Sequence, residues 1–311
     1  MTKQDLLYGT PNIKTLQIRQ SYTLGSKVVI AEQRIREWYE FWNGQVYIAF
    51  SGGKDSTVLL HLVRNLYPDV PAVFVDTGLE FPEIRDFVKT VPNTIWLRPK
   101  LSFKKVIEKY GYPIISKKVA MGFDRVRNTK NSDQIKLRLY GGTNKTTNKH
   151  QYPTIPKKWH YLLNAPFKIS EQCCDIMKKR PMHQYEKQSS RKPFIGMMAS
   201  DSDQRKENYL KFGCNAFETT NPRSLPLAIW KENDIWKYIK KFNISYSSIY
   251  NIGYERTGCM FCGFGCHLET TNRFDLMKKT HPKQYQYCME KLGLKKVLEW
   301  YPEQIQYETW D

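Results

Sequence analysis

The sequence predicts an α/β protein: a doubly wound parallel sheet of the Rossmann-like kind, followed by a small helical, Cys-rich C-terminal subdomain. Three observations carry this. Short apolar runs alternate with amphipathic helical stretches through the middle of the chain. The first run ends in a glycine-rich turn bearing Lys and Ser, which opens a helix. Five of the seven cysteines fall in two groups, at 173–174 and 259–266.

The elements follow in order. Residues 26–41 place Val29, Ile30, Ile35, Trp38 and Tyr39 at helical spacing. The run 46–50 (VYIAF) reads as a buried strand, and 57–66 (TVLLHLVRNL) as the next helix, with Asp55 or Ser56 near its cap. The runs 72–75 (AVFV), 94–97 (TIWL) and 194–197 (FIGM) are further buried strands. Residues 141–160 are rich in Gly, Asn, Thr and Pro and read as a long loop. Beyond Pro226 the character changes: 234–242 is a short helix, 253–265 is rich in Gly and Cys, and 274 onward is helical with a break at Pro282. There is no internal repeat. The expected division is an N-terminal helical extension (1–44), a nucleotide-binding domain (45–225) with a basic insertion near 98–160, and a helical subdomain (226–311) that contributes cysteines.

Composition narrows the classes of function. In 311 residues, 41% hydrophobic and 14% aromatic content exclude a disordered chain. No run of about 18 apolar residues occurs, so no membrane partner is expected. The N-terminus lacks an apolar signal region, and a reducing cytoplasmic setting is expected. In that setting cysteines read as metal or redox ligands before disulfides. The formal charge is +19, and residues 98–160 hold 16 Lys and Arg against 3 Asp and Glu. Aromatic residues, among them Phe103, Tyr140 and Trp159, are interleaved there. That concentration predicts a polyanionic partner.

Ser51-Gly52-Gly53-Lys54-Asp55-Ser56 lies at the carboxyl end of the first strand. Two glycines let the backbone turn and approach an anion. The following helix offers unpaired N–H groups and the positive end of its dipole. Lys54, Ser51 and Ser56 add a charge and two hydroxyls. The spacing is not that of a Walker loop, which needs Gly where Ile48 stands and Ser or Thr where Asp55 stands. Ser-Gly-Gly is also ordinary turn chemistry, but strand, glycines, Lys, hydroxyls and helix coincide here.

The strand–SGGKDS–helix unit resembles the PP-loop of the ATP pyrophosphatases. The segment 74–83 (FVDTGLEFPE) resembles the DTG-x-x-FPE element of the phosphoadenylylsulfate (PAPS) reductase-like family. A third segment, 196–202 (GMMASDS) with Arg205, matches that family loosely: Met198 stands where the reductases carry Arg, and Asp201 where they carry Glu. The resemblance spans roughly residues 45–270. It implies an adenine nucleotide alpha hydrolase-like fold and nucleotide contacts from Ser51, Gly52, Gly53, Lys54, Asp55, Ser56, Asp76, Thr77, Gly78, Gly196 and Arg205. Lys54, Asp55 and Asp76 are then the candidate catalytic residues, with ATP and Mg²⁺ as nucleotide and counter-ion.

Cys259 and Cys262 form C-x-x-C in a Gly-rich turn, with Cys266 four residues on, and the adjacent pair Cys173-Cys174 is the available complement. Four thiolates suit a [4Fe–4S] cluster or, alternatively, tetrahedral zinc. Adjacent cysteines are unusual for zinc, whereas the separate iron corners of a cubane accept neighbouring residues. CC followed by Lys178-Lys179-Arg180-Pro181 also resembles the cluster ligands of adenylylsulfate (APS) reductases. The expected ligand set is Cys173, Cys174, Cys259 and Cys262, with Cys266 as a substitute for one of the CC pair. Cys214 and Cys288 read as core thiols.

Three functions remain in view. The first is an ATP-using enzyme that adenylylates an acceptor, releases pyrophosphate and supports sulfur transfer onto nucleic acid. A sulfur donor such as a cysteine desulfurase and a homodimer are compatible with it. The second is an assimilatory APS or PAPS reductase. Against it stand Met198 and a C-terminus (EWYPEQIQYETWD) without the reductases' cysteine. The third is a nucleic-acid-binding regulator that has lost catalysis, which the intact SGGKDS opposes.

Overall fold

The computed structural model describes residues 11–143, 154–269 and 272–300. Residues 144–153, half of the expected loop at 141–160 and including Lys145 and Lys149 of the basic insertion, therefore lie outside the described residues, as does the C-terminal segment from residue 301. The chain forms two compact units. One comprises the described residues of Met1–Asp76, Pro82–Leu97 and Met182–Thr257; the other comprises those of Thr77–Phe81, Arg98–Pro181 and Gly258–Asp311. Each unit draws on separated stretches of chain. The expected C-terminal segment 226–311 is thus shared, with 226–257 in the first unit and 258–311 in the second.

The first unit is built on a six-stranded, mostly parallel sheet. Its strands are β1 (Val46–Ala49), β2 (Ala72–Val75), β3 (Thr94–Leu97), β5 (Lys192–Ile195), β6 (Asn215–Ala216) and β7 (Arg223–Ser224), in the order β3-β2-β1-β5-β7-β6. Only β6 pairs antiparallel, at the edge. Strand order runs one way from β1 to β3 and the other way from β1 to β5, so a topological switch point lies between β1 and β5. Ligands of doubly wound sheets bind at such a point, outside the carboxyl ends of the strands.

Helices cover this sheet. Helix α1 (Ile13–Gln20) is followed by α2 (Leu24–Phe41), which starts where the Thr23 hydroxyl accepts the Ser26 N–H at 3.2 Å. Helix α2 buries Lys27, Ala31, Arg34, Ile35 and Trp38, a single face by their spacing. Helix α3 (Lys54–Leu66) buries Val58, Leu59, Leu62 and Val63 and leaves His61 and Arg64 partly exposed. Helix α4 (Pro82–Thr90) buries Ile84 and Val88, one turn apart. Buried Lys27 is neutralised by Asp234 at 2.6 Å.

The second unit is mainly helical. Helices α5 (Phe103–Tyr110), α6 (Lys117–Asn128) and α7 (Ser132–Tyr140) lie within the basic insertion. A two-stranded parallel pair joins β4 (Ile114–Ile115) to β8 (Gly263–Phe264). Lys157–Asn164, whose first four residues fall at the end of the expected loop, is a 3-10 helix. It is ordered from outside its own sequence: the Arg127 guanidinium donates to the carbonyls of Leu162, Leu163 and Ala165 at 3.1 Å each, and to that of Phe167. The carbonyls at the end of the helix and just beyond it thereby gain a charged donor.

Candidate functional site

The first unit presents the glycine turn. Helix α3 begins at Lys54, three residues before the expected start, and neither Asp55 nor Ser56 caps it. Gly53 occupies the cap position and supplies no side-chain hydrogen bond. The start is set by the turn: Gly52 adopts φ +73°, and a Cβ there would lie 2.8 Å from Val88 and 2.9 Å from Ile84. Ser51 and Ser56 brace it. The Ser51 N–H donates to Ser56 Oγ at 3.2 Å, and the Ser56 hydroxyl donates to the Gly53 carbonyl at 2.9 Å. On the neighbouring strand, Gly196 lets β5 reach the helix. A Cβ at Gly196 would stand 3.1 Å from the Asp55 carbonyl group. Backbone pairing ends at Ile195, two residues before the expected strand end.

Lys54 is buried, with its Nζ 3.2 Å from Glu232 Oε1, 3.4 Å from the Glu255 carbonyl oxygen and 3.6 Å from Asp55 Oδ1. Burial alone would lower its pKa. Asp55, Tyr250 and Glu232 outweigh burial and raise it, so the ammonium stays charged. Burial raises the Asp55 pKa, and Asp201 adds to the rise. Asp55 Oδ1 is buried without a hydrogen-bond partner.

The other expected nucleotide contacts are placed as follows. Asp76 directly follows β2, is buried, and pairs with Arg85 at 3.0 Å. Arg205 pairs with Asp201. Met198 is buried, and its backbone N–H donates to Asp201 Oδ2 at 3.2 Å. A thioether packed in the core thus stands at this position. Thr77 and Gly78 belong to the second unit. Thr77 is held by Glu80, whose carboxylate accepts its N–H at 3.0 Å and its hydroxyl at 2.8 Å. Gly78 has φ +76° and open space where a Cβ would be.

The same unit holds the expected metal ligands. All seven cysteines are free thiols. Cys173 Sγ lies 4.0 Å from Cys174 Sγ. The thiol hydrogen bond raises the pKa of Cys173 and lowers that of Cys174. Lys117, Lys178 and Lys179 lower Cys174 further. Cys259 and Cys262 interact electrostatically with the pair, and burial pushes the Cys259 thiol up to about 11. Lys178 bonds Cys259 and stands 3.5 Å from Glu80. Among the described residues no three His, Cys, Asp or Glu side chains converge as a single ion would require. Four thiols edged by lysines suit a group that takes one thiolate at each of several irons, with the lysines offsetting the accumulated negative charge.

Reasoning from sequence missed Lys117, Glu80, Glu232, Tyr250 and Thr257. Glu80 lies inside the FVDTGLEFPE segment, which was a signal; Tyr250 and Thr257 reach the loop only through the fold.

The sequence profile of the phosphoadenosine phosphosulfate reductase domain matches residues 45–135 and 123–263. The chain belongs to this family. An uncharacterized protein of Methanocaldococcus jannaschii is 24% identical over 261 residues, which cover 81% of this chain and 49% of that protein. An adenosine 5'-phosphosulfate reductase of Bacillus cereus is 25% identical over 225 residues, covering 72% of this chain and 75% of that enzyme. The chain thus spans about half the length of the archaeal relative. A solved PAPS reductase from Candida auris, in complex with phosphate, is 14% identical with a TM-score of 0.43, covering 80% of this chain and 95% of that one. Members of the family include enzymes acting on adenylyl nucleotides. No helix among the described residues is long and apolar enough to cross a membrane.

Proposed function

We propose that this chain is an ATP-using member of the family that adenylylates an acceptor, releases pyrophosphate and supports sulfur transfer onto nucleic acid. The observation that supports it is the start of α3 at Gly53, a cap residue that brings no side chain of its own, beside a buried, charged Lys54. An acceptor oxygen attacks the α-phosphorus of ATP. An O–P bond forms, the bond to the β-phosphate oxygen breaks, and pyrophosphate leaves with that electron pair. A sulfur nucleophile then displaces AMP from the activated acceptor.

In this scheme the Gly52–Gly53 backbone and the Lys54 ammonium hold the leaving pyrophosphate. Asp55 Oδ1 is the oxygen the chain offers to Mg²⁺ arriving with the nucleotide. Cys173, Cys174, Cys259 and Cys262 would hold a [4Fe–4S] cluster, which supplies electron storage and a site for sulfur. Buried Met198 brings no guanidinium to a sulfonucleotide, which favours ATP. The Lys and Arg of 98–160 favour a nucleic-acid acceptor.

A second reading, reduction of APS or PAPS, is favoured by the likeness to the Bacillus cereus reductase. Anaerobic incubation with each nucleotide in turn separates the two. Pyrophosphate and AMP from ATP, in the presence of a DNA or RNA acceptor, support the first. Sulfite from APS or PAPS, with a dithiol as electron donor, supports the second. ADP and phosphate from ATP defeat the pyrophosphatase chemistry.

A further inference from the structure

Two donors that a phosphate would use at the glycine turn, the Lys54 backbone N–H and its ammonium, already have partners about 180 to 200 residues further along the chain. The Lys54 backbone N–H donates to the phenolic oxygen of Tyr250 at 2.8 Å. The Lys54 ammonium donates to the Glu255 carbonyl at 3.4 Å and pairs with Glu232. The Tyr250 hydroxyl lies 3.2 Å from the Thr257 hydroxyl. A Cβ added to Gly53 would meet Thr257 Oγ1 at 2.8 Å and the Tyr250 hydroxyl at 3.3 Å. Glycine at such a turn leaves room for a ligand oxygen to approach the backbone. Here two side-chain hydroxyls fill that room.

The segment that brings them is built to lie across the turn. Ser247 caps the short 3-10 helix Ser248–Ile252, which ends at Gly253 with φ +96°. The Tyr250 ring packs edge-on against Trp236 and Tyr246. Residues 251–253 and 255–256 are exposed, while Ile249 and Tyr254 are buried, so the strap is anchored by these side chains and Tyr250 and open along its outer side.

We propose that the strap 248–257 is an autoinhibitory latch on the phosphate cradle. The Tyr250 and Thr257 hydroxyls take the place of phosphate oxygens, and a pyrophosphoryl group must displace them to bind. This rests on reading the glycine turn as a phosphate cradle. A latch that is closed most of the time lowers the apparent affinity by the fraction of open molecules. Removing the latch hydroxyl therefore tightens binding, whereas removing a hydroxyl that itself binds phosphate weakens it.

The probe is inorganic pyrophosphate with Mg²⁺, titrated calorimetrically into the full-length protein as wild type, Tyr250→Phe and Thr257→Val. The latch predicts severalfold tighter binding in both variants. It also predicts faster amide exchange across 248–257 of the wild type when pyrophosphate is added. Weaker or equal binding in the variants, or protection of the strap by pyrophosphate, overturns the latch and leaves the cradle standing. Absence of pyrophosphate binding in wild type and both variants overturns the cradle, and the latch with it. Should one variant fail to fold, the other variant and the wild-type exchange experiment still decide.

Discussion

The glycine turn and the cysteine site solve opposite problems. The turn is made by backbone: Gly52 at φ +73°, Gly196 pressed to the Asp55 carbonyl group, and hydroxyls that close on the turn itself. The cysteine site draws on side chains from two distant segments: Cys173 is buried, and Cys174, Cys259 and Cys262 are half-buried and feel one another electrostatically. Placing four thiolates together would cost desolvation and repulsion, which the neighbouring lysines and, on the cluster reading, bound iron would offset. On the cluster reading, losing the bound group should loosen the second site and leave the turn intact.

The largest expected effect breaks the second side of that comparison. Anaerobically purified protein should be brown with about four irons and four sulfides per chain, as a [4Fe–4S] cluster requires. Cys→Ser at 173, 174, 259 or 262 should bleach it and lower the thermal stability of the second unit. Cys214→Ser and Cys288→Ser should leave the colour. A bleached Cys266→Ser beside a brown Cys173→Ser or Cys174→Ser would exchange the ligand set. Stoichiometric zinc without iron would leave a structural clamp instead.

Next comes charge at the turn. Lys54→Ala should slow pyrophosphate release by about 100- to 1000-fold, the typical worth of one preorganised electrostatic donor. Iron content should not change. A loss of iron in this variant would mean that the two sites are coupled, and the contrast would fail.

Gly52→Ala tests the backbone argument itself. It forces a left-handed conformation on a side chain and drives its methyl into Val88 and Ile84. Denaturant unfolding should show a loss on the order of 3 kcal/mol. An unchanged midpoint would show that the turn relaxes and that its form is not fixed by packing.

What could be read from the sequence follows the same division. Strands β1, β2 and β3 were legible because each is a short apolar run between turn signals. The cysteine pairs were legible because spacing alone marks them. The start of α3 was not, because capping rules favour Asp or Ser, while Gly53 here leaves the end for partners from elsewhere. The 3-10 helix Lys157–Asn164 was hidden in a polar stretch because Arg127, some thirty residues earlier, holds its carbonyls. Tyr250 and Thr257 carry no local signal, since each reaches the turn only through the tertiary fold. The basic insertion was legible as charge but not as helices α5 to α7.

That insertion yields a smaller effect. Binding of a short duplex DNA should fall with salt at a slope near −0.9 per phosphate contacted. Lys157→Glu with Lys158→Glu should flatten the slope by about 2 if each lysine meets one phosphate. Because these lysines lie in the unit that holds the cysteines, iron content is the control for folding. Salt-independent binding, or none at low salt, removes nucleic acid as the acceptor and favours the reductase reading.

The smallest effect separates the two units by acid. Burial lowers the pKa of His61 on α3, where Nδ1 lies 3.0 Å from the Tyr238 hydroxyl. A histidine whose folded pKa is depressed stabilises the fold above its unfolded value of about 6.5. That contribution is lost as pH falls, because the unfolded chain takes up the proton first. The first unit should therefore melt earlier at pH 5.5 than at pH 7.5, and His61→Gln should reduce the difference. His61 is only half-buried, so the effect is small and best read as a change in slope with pH. On the cluster reading the thiolates would also lose to protons in acid, but that loss would appear as bleaching at the iron absorbance and be independent of His61. If His61→Gln flattens the bleaching curve and leaves the pH dependence of melting untouched, the titrating group lies in the second unit and the assignment to α3 is wrong.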